Sequence, residues 1–312
     1  MTKYQKTAVL GAGVIGASWA ALFLASGRDV AVFDPSADAE RTVRDYIDRA
    51  WPTMIELGLA THDRRGALSF HGAAAEAVAG AEFVQESVPE RIAIKHALYA
   101  EIEPALADGA IVASSASGLT LSEMQAGWTD PHQFVLGHPF NPPHLIPLVE
   151  VMGNEQTAEQ AVTGAEEFYR LTGKVTIRVR REVPGHVANR LQAALWREAI
   201  HLVKTGVASV EDVDTAVWAG PGLRWAAMGP TMLFHLGAGE GGLAAFCERY
   251  SDSFNRWWDD LGVLHLDPAL SSDLIEGVER ESRAKSQAEL ASQRDALITA
   301  MQKATAPLRN GA

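Results

Sequence analysis

Apolar positions along this chain follow two rhythms. Through the first part, short apolar runs alternate with longer stretches of helical spacing: Thr7–Leu10, Asp29–Phe33, Phe83–Gln85, Ala110–Ser114 and Gln133–Gly137, then Leu148–Val151 and Val175–Val179. Runs of this length read as strands, and the Ala-, Leu- and Trp-containing stretch Val14–Ser26 reads as a helix that Gly27 terminates. Such alternation predicts βαβ units around a parallel sheet. It stops at Pro184-Gly185. From His186 onward Val187, Leu191, Leu195 and Leu202 recur at helical spacing, with Gly206 as the stop. Ser209, with Asp212 three residues on, has the form of a helix start, and the last forty residues read as exposed helix with a frayed end. The expected architecture is α/β: an N-terminal Rossmann-type parallel-sheet domain over residues 1–185, then an all-α domain over 186–312.

Composition narrows the partners. A length of 312 residues suits two domains better than one. With 47% hydrophobic and 21% charged residues the chain packs as a globular protein, which excludes wholesale disorder. A formal net charge of −12 argues against nucleic acid, whose phosphates demand a concentrated basic surface. The single cysteine, Cys247, forms no internal disulfide, lies in no metal-ligand spacing and reads as a small buried or half-buried hydrophobe. No metal is expected. No apolar leader precedes Thr7 and no apolar stretch is long enough to span a bilayer, so the expectation is a cytoplasmic protein without a membrane partner.

Candidate chemistry begins at Gly11-Ala12-Gly13-Val14-Ile15-Gly16, between the first strand and the first helix. Gly11 permits a tight turn, Gly13 lets backbone approach a diphosphate, and Gly16 lets helix and sheet pack closely. The diphosphate would then lie at the helix N-terminus, against the amides of residues such as Val14 and Ile15. Asp34, eighteen positions beyond Gly16, ends the second strand. A carboxylate there accepts hydrogen bonds from ribose hydroxyls and repels a 2′-phosphate, so the expected cofactor is NAD rather than NADP. A dehydrogenase also needs a base for the hydroxyl proton. Two segments past strand ends offer candidates: Ser114-Ser115-Ala116-Ser117-Gly118, and Gly137-His138-Pro139-Phe140-Asn141-Pro142 with Glu150 twelve residues after His138. The nine other histidines are read as surface or core residues.

With these motifs in place the chain resembles the L-3-hydroxyacyl-CoA dehydrogenase family from the glycine-rich turn to about residue 240. The resemblance implies a catalytic pair His138 and Glu150, a substrate-oxygen contact at Ser117, and a second one at Asn189 within Pro184-Gly185-His186-Val187-Ala188-Asn189-Arg190. It places Glu90, Lys95 and Ser117 beside the nicotinamide ribose and implies a homodimer formed through the helical domain. Acyl-CoA members carry a Gly-Tyr-Pro-Met-Gly-Pro-like segment where this chain reads Gly220-Pro221-Gly222-Leu223-Arg224-Trp225-Ala226-Ala227-Met228-Gly229-Pro230. That difference resembles the branch containing L-carnitine dehydrogenase and L-gulonate 3-dehydrogenase, which act on free acids. A guanidinium at Arg224 suits a free carboxylate. Trp225, with Trp257 or Trp258 and with Glu240 as counter-charge, suits a quaternary ammonium. The implied substrate is a small 3-hydroxy acid, L-carnitine first and L-gulonate second. A short-chain 3-hydroxyacyl-CoA dehydrogenase and a crystallin-like NAD-binding structural protein stand as the alternatives.

Overall fold

Along β1 (Lys6–Leu10), alternate side chains enter two different cores. Val9 packs with Trp19 and Phe23, whereas Ala8 and Leu10 pack with Leu98 and Tyr99. A strand buried on both faces needs helices on both faces, and that makes three layers. The computed structural model describes residues 3–60 and 66–309. The remaining strands are β2 (Asp29–Phe33), β3 (Leu68–Phe70), β4 (Phe83–Glu86), β5 (Ile111–Ser114), β6 (Phe134–Pro139), β7 (Leu148–Met152) and β8 (Val175–Arg178). They form one sheet in the order β3-β2-β1-β4-β5-β6-β7-β8. Every pairing is parallel except β6 with β7.

Helices α1 (Val14–Ala25), α2 (Ala39–Glu56), α3 (Ala74–Val78), α4 (Ile92–Ile102), α5 (Leu121–Gln125) and α6 (Glu159–Leu171) flank the sheet. Of these, α1 is buried from Gly16 to Ala25, so its Ala-rich sequence serves close approach rather than amphipathicity. Gly27, at φ +79°, turns the chain out of it. α2 is amphipathic, burying Val43, Ile47, Ala50 and Met54 at helical spacing. This sheet unit takes in residues up to Ala188 together with Ile298–Lys303.

The second unit runs from Asn189 to Leu297, with the residues from Ala304 on, and its secondary structure is helical. It holds α7 (Ala188–Lys204) from Asn189 on, α8 (Val210–Ala219), α9 (Pro221–Ala227), α10 (Pro230–Gly237), α11 (Gly242–Asp260), α12 (Pro268–Ser282) and the parts of α13 (Gln287–Arg309) outside Ile298–Lys303. Ser209 does cap α8, its side chain accepting the Asp212 N–H. The stripe read as helical is helix α7, although Leu191 and Leu195 are exposed and only Ile200 of that helix is buried. One expectation changes. Cys247, read as buried or half-buried, is exposed on α11.

Candidate active site

The antiparallel pairing of β6 with β7 creates the site. Its register sets His138 directly opposite Glu150, so twelve residues of sequence collapse to one cross-strand pair. His138 Nδ1 lies 2.8 Å from Glu150 Oε2, with the histidine 3% exposed and the glutamate fully buried. The other carboxylate oxygen accepts the backbone N–H groups of Val187 and Ala188, at 2.9 and 3.0 Å. Burial pushes the Glu150 carboxyl up. The bonds from His138, Ala188 and Val187 together outweigh it and hold the group below its ordinary value. A carboxylate accepting from Nδ1 fixes the proton there and leaves Nε2 as the acceptor. Nε2 is 3.0 Å from Ser117 Oγ. The arrangement is therefore a base whose free nitrogen faces a hydroxyl, backed by a buried anion.

Ser117 is held at the rim by Glu90, whose carboxylate accepts the N–H groups of Ser117 and Gly118. The turn beneath it is braced by a buried network. Glu86 takes both Lys95 Nζ contacts (2.6 and 2.7 Å), the Tyr99 hydroxyl (2.8 Å) and the Ser114 hydroxyl (2.7 Å). Lys95, expected beside the ribose, is only 1% exposed, and its ammonium is enclosed against Glu86. An ion pair this deep is retained only when its remaining bonds are made, and here they are.

At the β1–α1 turn the glycine geometry leaves no alternative residue at two positions. Gly11 sits at φ +91°, where a Cβ would lie 2.7 Å from the Ser87 backbone, and a Cβ on Gly16 would lie 1.8 Å from the Gly11 carbonyl. Gly13 has open space around it instead. The first helical bond of α1 runs from Ala17 N–H to the Gly13 carbonyl, leaving the amides of Val14, Ile15 and Gly16 directed ahead of the helix. No acidic side chain occupies that first turn. Helix-end amides with no acidic side chain in their own turn fit a dinucleotide's diphosphate. Asp34 is half-buried beside the turn, accepting the Ala12 N–H at 2.7 Å and the Ser36 N–H at 2.8 Å.

The structure thus brings Ser117, His138, Glu150 and Glu90 together within the sheet unit. Asn189, Arg224 and Trp225 belong to the helical unit. Within that unit, Trp257 and Trp258 pack on Phe254, at 4.9 and 5.7 Å between ring centroids, while Trp225 shares no ring contact with either among the described residues. One neighbour was not foreseen from sequence. His186, read as a surface or core histidine, lies with its ring 5.1 Å from that of His138. A second histidine in Pro-Gly-His-Val was the available signal, but only the fold shows it beside the first.

Comparison with known proteins adds three findings. Residues 6–183 match the model of the 3-hydroxyacyl-CoA dehydrogenase NAD binding domain, and residues 185–263 match that family's C-terminal domain. The L-carnitine dehydrogenase of Streptomyces coelicolor is 45% identical over 97% of this chain and 96% of its own. That of Pseudomonas aeruginosa is 40% identical over 96% and 94%. Among solved structures, an NAD+-dependent dismutase, 5-formyl-3-hydroxy-2-methylpyridine 4-carboxylic acid 5-dehydrogenase, aligns with a TM-score of 0.82 at 30% identity, covering 96% of this chain and 97% of that one.

Proposed function

Because this chain belongs to the 3-hydroxyacyl-CoA dehydrogenase family, we propose that it oxidises the 3-hydroxyl of L-carnitine to 3-dehydrocarnitine with NAD as acceptor. The observation that carries the chemistry is the Ser117–His138–Glu150 relay. His138 Nε2 takes the hydroxyl proton as the C3 carbonyl forms, and Glu150 stabilises the resulting imidazolium. Ser117 donates to the same oxygen as its bond order changes, a preorganised dipole that costs no rearrangement during reaction. Asn189, in the segment 184–190 that resembles the family's, is assigned the matching task. When bound, NAD would supply the electron-poor ring carbon for the hydride from C3. The amides of Val14, Ile15 and Gly16 suit its diphosphate, Asp34 its adenosine ribose and Glu90 its nicotinamide side, with Lys95 acting through Glu86.

The choice of substrate rests on the names of the curated relatives and on two side chains of α9, Arg224 and Trp225. Arg224 would grip the carboxylate with a charge-assisted fork, and Trp225 would face the trimethylammonium. Trp257 and Trp258 touch Phe254 yet stay more than half exposed, which leaves either of them open to complete the cage with Trp225. Replacing Arg224 with Met should raise the Michaelis constant sharply for every free acid. Replacing Trp225 with Ala should cost carnitine about 2 kcal/mol more than 3-hydroxybutyrate, roughly a thirtyfold discrimination in kcat/KM. Equal losses on the two substrates would leave Trp225 as packing and remove the physical case for carnitine.

The same reading includes a homodimer. Neither α9 nor α10 has a buried residue in the single chain, and Leu191, Trp196, Trp218 and Leu236 are all more than half exposed. Short helices do not hold without a packed face, so a second copy is the covering partner. Sedimentation should give twice the chain mass at micromolar concentration; a monomer there would reject it. No helix among the described residues is long and apolar enough to cross a membrane. A single exposed cysteine and a need for NAD fit a reducing cytoplasm.

A further inference from the structure

His186 is unusual in three respects. Its residue is 3% exposed, its backbone holds a positive φ of 51°, and its ring is tilted 54° against that of His138 at 5.1 Å between centroids. Nε2 points at the Ala116 carbonyl at 3.4 Å, which assigns the proton to that nitrogen. Nδ1 is then a bare lone pair, buried and without a hydrogen-bond partner among the described residues. The strained backbone has a local reason. The left-handed residue follows Gly185 at φ +75°, and the two amides after it are the ones that hold Glu150. One turn therefore presses an imidazole against the base and also anchors the base's carboxylate.

We infer that His186 is a positioning residue for the general base: a second imidazole that stays uncharged, closes one side of His138 and confines the site's proton to that ring. The inference rests on the reading of His138 as the base. Charging His186 would require a second hydrogen-bond acceptor at Nδ1, and none of the described residues supplies one. Burial lowers its affinity for a proton, and the neighbouring His138 lowers it further. The Ala116 carbonyl, Glu150 and Glu90 pull the other way without prevailing. His138 is faced by Glu150 from β7, by Ser117 from the turn after β5, by Phe140 at 5.7 Å and by His186. Among the described residues the only anion bonded to either ring is Glu150, and it is bonded to His138. Two rings at this spacing share one charge, because a second imidazolium would meet the first across a dry contact.

The test is ring 15N NMR of the full chain labelled at histidine, read against pH, together with kcat/KM profiles for wild type, His186→Phe and His186→Ala. The expected spectrum shows one titrating ring of the two. His186 keeps the signature of a neutral ring, Nε2 protonated and Nδ1 bare, across the range in which His138 gains its proton. The acid limb of kcat/KM should stay within about half a pH unit in His186→Phe, which keeps that side of His138 covered. It should move up by about one unit in His186→Ala, which admits water to the imidazolium. His186 titrating before or with His138 overturns the inference, as does an acid limb that responds alike to both substitutions. If a variant fails to fold, the wild-type spectrum decides. A His138 ring that never titrates, or a wild-type profile with no acid limb, would instead defeat the reading of His138 as the base.

Discussion

His138→Gln is expected to lower turnover by about two to four decades while leaving NAD affinity near that of wild type. The base nitrogen is lost, whereas among the described residues no hydrogen bond joins His138 to the β1–α1 turn. Glu150→Gln should also be severe, for a reason that the hydrogen bonds dictate. Glu150 accepts three donors, the N–H groups of Val187 and Ala188 and the His138 Nδ1, and donates to none. An amide has one acceptor end. Kept on the two backbone N–H groups, it turns its NH2 toward Nδ1, drives the ring proton to Nε2 and abolishes the base. Turned around, it sets NH2 against two donors, leaving buried groups unpaired at about 1–3 kcal/mol each. Either way the carboxylate acts through the imidazole, so the double variant should be little worse than His138→Gln alone. Full additivity, read from steady-state kcat in all four proteins, would show two groups working separately.

Asp34→Ala should weaken NAD binding by roughly 10- to 150-fold, the loss expected for a charged acceptor worth about 1.5–3 kcal/mol. NADP should suffer less, because the same carboxylate repels its extra phosphate. The structure adds a term that the spacing alone does not reveal. Asp34 also accepts the Ala12 N–H, so its removal loosens the glycine-rich turn itself. Asp34→Asn retains an acceptor for Ala12 and should therefore keep more NAD affinity than Asp34→Ala. Titration by tryptophan fluorescence distinguishes the three proteins, and a wild type that binds NADP as tightly as NAD would contradict the assignment.

Much of the sheet was legible because buried strands leave short apolar runs and Gly11 and Gly16 leave an unmistakable spacing. What stayed hidden was relational. β3 is three residues at the sheet edge, only half-buried at Leu68 and Phe70, too short to mark a period. β7 reads as one more buried run, and hydrophobicity carries no direction, so its antiparallel pairing could not be seen. That pairing explains why His138 and Glu150 belong together, which the sequence supplied only through family resemblance. The α7 stripe has helical period whichever surface it meets, so Leu191 and Leu195 predicted the element and not its exposure. Likewise Lys95 matched a motif, but its burial against Glu86 depends on Tyr99 and Ser114, which no local pattern links.

The most direct test of the central claim is NADH formation by the wild-type protein with NAD and each of four substrates: L-carnitine, L-gulonate, 3-hydroxybutyrate and a short-chain 3-hydroxyacyl-CoA. The account predicts the highest kcat/KM on L-carnitine, with the uncharged-headed 3-hydroxybutyrate below it by the cation's share. A higher value on L-gulonate or on the acyl-CoA would contradict the substrate while sparing the relay. No NADH from any of the four would contradict the enzyme itself.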